Sequence, residues 1–123
     1  MNTLPVFHCC QPGLLFDAVD RDAGVFLDLA RLFVHETIVR VDDIARASSS
    51  GAFSEMGYEA HSLKGTVGAV GASGLVQLLQ DIEHSGLRHS RPCTESQLAQ
   101  LRQLLEIARN DMHAYVATVK HQL

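Results

Sequence analysis

The sequence predicts an all-α fold, an antiparallel four-helix bundle with an additional short helix at its N-terminal end. Three observations carry this. Apolar residues recur at steps of three and four along most of the chain, the period of a helix face. The two-residue alternation of strands is weak throughout. The strongest breakers, Pro12-Gly13, Gly51, Gly71 and Pro92, fall between the periodic segments and not inside them. A length of 123 residues suits one domain. The chain is therefore expected to be a single unit over 1–123, with an irregular segment over 1–13 and the bundle over about 14–123.

The elements follow in order. Leu14 to Val19 forms a short helix that starts at Pro12-Gly13 and closes at Asp20. A long helix spans about Ala23 to Ala47, with Phe26, Leu29, Ala30, Phe33, Thr37, Val41 and Ile44 as its apolar face. Asp20 or Asp22 can cap it, and Ser48-Ser49-Ser50-Gly51 ends it. The next two helices, about Ala52 to Val70 and Ala72 to Ser85, meet at a tight turn around Gly71. Their buried faces are Phe53, Met56, Ala60, Leu63 and Val67, and then Leu75, Leu78, Leu79 and Ile82. Gly86 to Cys93 is expected to be a basic, polar loop. The last helix runs from about Thr94, where Thr94 and Gln97 have capping-box spacing. Its stripe is Leu98, Leu101, Leu105, Ala108, Met112, Tyr115 and Val119.

Composition removes several function classes. Hydrophobic residues make up 46% and aromatic residues 6%, without tryptophan, so the core is mainly aliphatic. The net charge is -4, with 10 Lys and Arg scattered among 14 acidic residues. A nucleic-acid binder ordinarily carries a basic stripe, and none is present, so no nucleic-acid partner is expected. No apolar run approaches the roughly 20 residues of a membrane span. The stretch from Val25 to Val34 is broken by Asp28 and Arg31. Met1 to Phe7 lacks the pattern of a secretory signal. The three cysteines show no zinc spacing and are expected to be free thiols. A cytoplasmic protein is expected, with no membrane partner and no metal site.

The third helix carries the chemistry. Gly57, Gly65 and Gly68 each cost helix stability, roughly 1 kcal/mol relative to alanine. All lie on one helical face with His61, at four positions before it and four and seven after. Lys64 belongs to the same strip. A face stripped of side chains around one imidazole and one ammonium is open to a large partner. The competing explanation, close helix packing, does not account for a histidine and a lysine on the strip.

Ala60-His61-Ser62-Leu63-Lys64-Gly65, followed by Gly71-Ala72, Leu75 and Ile82-Glu83, resembles the signature of histidine-containing phosphotransfer (HPt) domains. The similarity extends more weakly to Phe33 and Phe53 and covers the chain from about Leu14 onward. It departs at Val67, where a small polar residue is common, a difference expected to affect packing more than function. The resemblance implies that His61 accepts a phosphoryl group on Nε2. It also implies that Glu83 holds the ring through Nδ1 and that Lys64 neutralises phosphoryl oxygens. Gly57, Gly65 and Gly68 would admit the partner.

The implied partners are response-regulator receiver domains and a hybrid histidine kinase. No cofactor of the chain's own is implied; Mg²⁺ and the acceptor aspartate would come from the receiver. With no P-loop or other nucleotide loop, the chain is expected to carry phosphoryl groups and not to act as a kinase. It is expected to be freestanding; the alternative is a phosphoacceptor domain excised from a chemotaxis-type or hybrid sensor kinase. The other histidines, His8, His35, His84, His89, His113 and His121, form no His-x-x-x-His pair. They are read as surface residues, and Asp42-Asp43 as a solvated face.

Overall fold

The computed structural model describes residues 7–122. Within them the chain forms five helices: α1 (Gly13–Ala18), α2 (Ala23–Ser50), α3 (Phe53–Gly68), α4 (Ser73–His89) and α5 (Glu95–His121). There is no strand among the described residues. Helices α2 to α5 make the antiparallel bundle, and α1 is the short additional helix. Residues 7–12 are irregular, whereas Gly13, expected in the irregular segment, is the first residue of α1; residues 1–6 lie outside the described residues.

The start and stop signals act as their chemistry requires. The Asp22 side chain accepts from Val25 N at 3.0 Å, so Asp22, and not Asp20, caps α2. Gly51 closes α2 with φ 80°, a left-handed turn that glycine enters without steric cost. Thr94 and Gln97 form the full capping box at the head of α5. Between α3 and α4, Gly71 is needed twice over. Its φ is +67°, and a Cβ there would come within 2.8 Å of Leu14 Cδ1.

The apolar faces predicted from periodicity meet in one core. Phe26, Ile44, Met56, Leu63, Leu75, Leu79, Ile82, Leu101, Leu105 and Met112 are completely or almost completely buried. Val67 is fully buried in the same core, which gives the departure at this position a packing role. Helices α2 and α5, with 28 and 27 residues, outrun α3, which has 16, by roughly three turns. The excess is covered at one end by α1 and the segment before it. There Phe16 packs on Phe26 with ring centroids 5.1 Å apart, and Tyr115 closes on both rings.

One boundary is corrected. Gly86 to His89, expected in a loop, continue α4 by a full turn to His89. Gly86 is not a breaker but a contact point. A Cβ on it would stand 2.4 Å from the Phe53 carbonyl oxygen and 3.0 Å from Gly57 N. Glycine here lets α3 and α4 cross backbone to backbone, and their contact carries the helix past it.

Candidate functional site

The site grows from the antiparallel pairing of α3 and α4 across the Gly71 turn. Ala60, Leu63 and Val67 point into the core and fix the rotation of α3. His61, one residue beyond Ala60, is thereby turned outward. On α4, Leu79 and Ile82 are buried, which places Glu83 at the edge facing α3.

The result is a three-residue array. His61 Nδ1 lies 2.6 Å from Glu83 Oε1, and Lys64 Nζ donates to Glu83 Oε2 at 3.2 Å. The His61 side chain is 66% exposed while that of Glu83 is only 18% exposed, so the ring projects outward from a sheltered carboxylate. Partial burial works against the charge on Glu83. The hydrogen bonds from His61 and Lys64, with their positive charge, outweigh it and hold the carboxyl below its usual range. Glu83 stays ionised and binds the ring through Nδ1, which leaves Nε2 as the nitrogen directed to solvent.

The glycines divide into two kinds. Gly65 has nothing within 4 Å of a Cβ built upon it, and Gly68 meets only Val76 Cγ2 at 3.7 Å. Both are exposed beside His61. Gly57 is buried, and a Cβ on it would fall 2.6 Å from Leu87 Cγ and 3.2 Å from the Glu83 carbonyl oxygen. Its expected place on the open, partner-facing strip is therefore corrected. Gly57 and Gly86 together form the α3–α4 crossing, so close helix packing accounts for Gly57, while Gly65 and Gly68 stand open beside His61.

Two features escaped the sequence. Arg40 on α2 donates to Glu36 at 2.6 Å and to Glu59 of α3 at 2.8 Å, tying α3 to α2 near the site. Asp111, buried in α5, accepts from the backbone N–H groups of His8, Cys9 and Cys10 at 2.7–3.1 Å. This strap holds the N-terminal segment to α5, and Gln11 N continues it to the Val70 carbonyl at the α3–α4 turn. Burial first, then the Asp111 charge, pushes the Cys10 thiol up to about 12, which leaves it inert.

The Hpt domain family model matches residues 28–111, from α2 into α5 and across the whole array. The chain belongs to the Hpt domain family, whose members are helical carriers of phosphoryl groups in phosphorelays. No curated protein and no solved structure matches the chain significantly. Among the described residues, no helix is long and apolar enough to cross a membrane.

Proposed function

We propose that this chain is a phosphoryl carrier of a cytoplasmic phosphorelay, with His61 as its phosphorylated residue. The observation that carries the proposal is the outward imidazole held through Nδ1 by a sheltered carboxylate. Receiver domains are its partners on both sides of the transfer, and a hybrid histidine kinase supplies the phosphoryl group. The Nε2 lone pair attacks phosphorus as the bond to the receiver's aspartyl oxygen breaks. The ring becomes cationic, and the Nδ1–H donated to Glu83 stabilises that charge. Glu83 is thus a positioning residue. Lys64, held beside the same carboxylate, supplies positive charge for oxygens of the transferring group. Mg²⁺ and the aspartate belong to the receiver.

The surface beside His61 suits a protein partner. Gly65 and Gly68 leave room for loops to approach. Next to them Thr66 and Ala69, with Leu15, Leu29 and Leu32, line an apolar groove between α1, α2 and α3. Leu32 is 53% exposed there, an apolar surface that a docking domain would cover. The free thiols of Cys9, Cys10 and Cys93 fit a reducing compartment.

The test is transfer from a phosphorylated receiver domain in the presence of Mg²⁺. The wild type should acquire an acid-labile, alkali-stable label. His61→Gln should acquire none while keeping its helical content and melting temperature, because the ring is exposed. Undiminished labelling of that folded variant would exclude His61 as the acceptor.

A further inference from the structure

The C-terminal end of α4 holds a second pair of imidazoles, separate from His61. His84 Nε2 and His89 Nε2 are 3.1 Å apart, with ring centroids 4.8 Å apart and planes at 74°. Both residues are exposed. Five positions along a regular helix place two side chains about 140° apart, so the sequence spacing gives no sign of the pair. His89 is the final helical residue, next to Ser90 in the left-handed conformation with φ 48°. At this helix end its ring reaches back to His84.

We infer that His84 and His89 form a two-imidazole chelate for a divalent transition-metal ion of the zinc, nickel or copper type. Two nitrogens bound to one ion at about 2.0–2.1 Å stand about 2.9 Å apart at a right angle and about 3.4 Å apart in a tetrahedron. The observed separation lies between these limits, so the two nitrogens already have the spacing that one ion requires. Without metal, one Nε2–H donates to the lone pair of the other Nε2. On binding, that proton moves to Nδ1 of its own ring, and both Nε2 lone pairs bind the ion. The carbonyl end of α4 favours positive charge.

Imidazole ligands select borderline ions over Mg²⁺, which separates this site from the Mg²⁺ that a receiver brings. Among the described residues no third His, Cys, Asp or Glu joins the pair. The remaining coordination positions are therefore taken by water or by a ligand from another molecule, and binding is reversible.

The test titrates the full chain with Zn²⁺ alone, by calorimetry and by NMR of the imidazole signals. One ion per chain should bind saturably, with the His84 and His89 ring signals moving together, and excess Mg²⁺ should not compete. His84→Ala and His89→Ala should each lose the site as completely as the double variant does, since one exposed imidazole does not chelate. His61→Gln should retain it. Circular dichroism of each variant checks the fold, and His84→Gln and His89→Gln replace any that unfolds. Binding that survives the double substitution, or that moves only one ring or is lost in His61→Gln, would overturn the assignment. So would the absence of saturable binding.

Discussion

The two halves of α3 use the same residue for opposite ends. In its first half Gly57 faces Gly86 across a crossing so close that neither position has room for a Cβ without movement. In its second half Gly65 and Gly68 face open space or ordinary contact, next to an exposed His61. The first pair gives up helix propensity to bring two backbones together. The second leaves the surface beside His61 open. A glycine's spacing on a helix therefore does not reveal its use; the neighbour across the interface does.

The largest effect is expected where the two backbones cross. Gly86→Ala drives a methyl group against the Phe53 carbonyl oxygen, and backbone cannot swing aside as a side chain can. The cost of overpacking exceeds the propensity gain, so a net loss of about 2–3 kcal/mol is expected in urea unfolding. Gly57→Ala should cost less, because its nearest obstacle is the partly exposed, flexible Leu87 side chain. If Gly86→Ala is as stable as the wild type, the α3–α4 crossing is looser than described.

How much of this was legible in the sequence follows from the same logic. The bundle, the caps at Thr94 and Gly51 and the turn at Gly71 rest on local signals and periodicity, and the pairing of Glu83 with His61 was implied by the resemblance to HPt domains. All are visible in one dimension. The end of α4 was not, because Gly86 is a breaker by composition and a helix residue only by virtue of Phe53 and Gly57 opposite it. Gly57 was assigned to the open strip for the same reason. Asp111 looks like any surface carboxylate on α5, and its partners lie about a hundred residues away in the chain. The His84–His89 pair depends on side-chain conformation at the end of α4, which helical spacing does not show. For Gly86, Gly57 and Asp111 the missing information was a contact between segments.

The site side of the comparison is tested first at Lys64. Lys64→Ala removes a side chain that is 23% exposed and bound only to Glu83 among the described residues, so the fold should survive. Transfer from a receiver should slow by about tenfold to a hundredfold, which is about 1.4–2.7 kcal/mol of transition-state stabilisation. An unchanged single-turnover rate would confine Lys64 to holding Glu83.

The open half of α3 should respond to substitution in reverse. Gly65→Ala meets no atom within 4 Å and should raise stability by up to about 1 kcal/mol, opposite in sign to Gly86→Ala. Gly68→Gln should likewise stay folded, yet slow transfer by placing a long side chain in the approach to His61. Unchanged transfer kinetics in Gly68→Gln would show that a partner does not pass over this strip.

The smallest expected effect concerns the carboxylate that joins the two halves, since Glu83 lends its side chain to His61 and its backbone carbonyl to the Gly57 crossing. The carboxyl is held below its ordinary value of about 4.3 by hydrogen bonds and charge from His61 and Lys64, which outweigh its partial burial. A group with a lowered folded pKa binds protons more readily in the unfolded chain. Its stabilisation is complete above the ordinary value and disappears as pH falls through the folded one. Glu83→Gln keeps an oxygen that can accept from Nδ1 but loses the negative charge. Above about pH 5 the wild type should be more stable than Glu83→Gln by under about 1 kcal/mol, the scale of a partly exposed ion pair. The difference should shrink as the pH drops below about 4, and the two unfolding midpoints should converge. High salt should narrow the gap at neutral pH by screening Lys64. A gap that stays constant across the acid range would mean that the loss comes from shape or hydrogen bonding, and that the Glu83 charge does not hold His61 and Lys64 together.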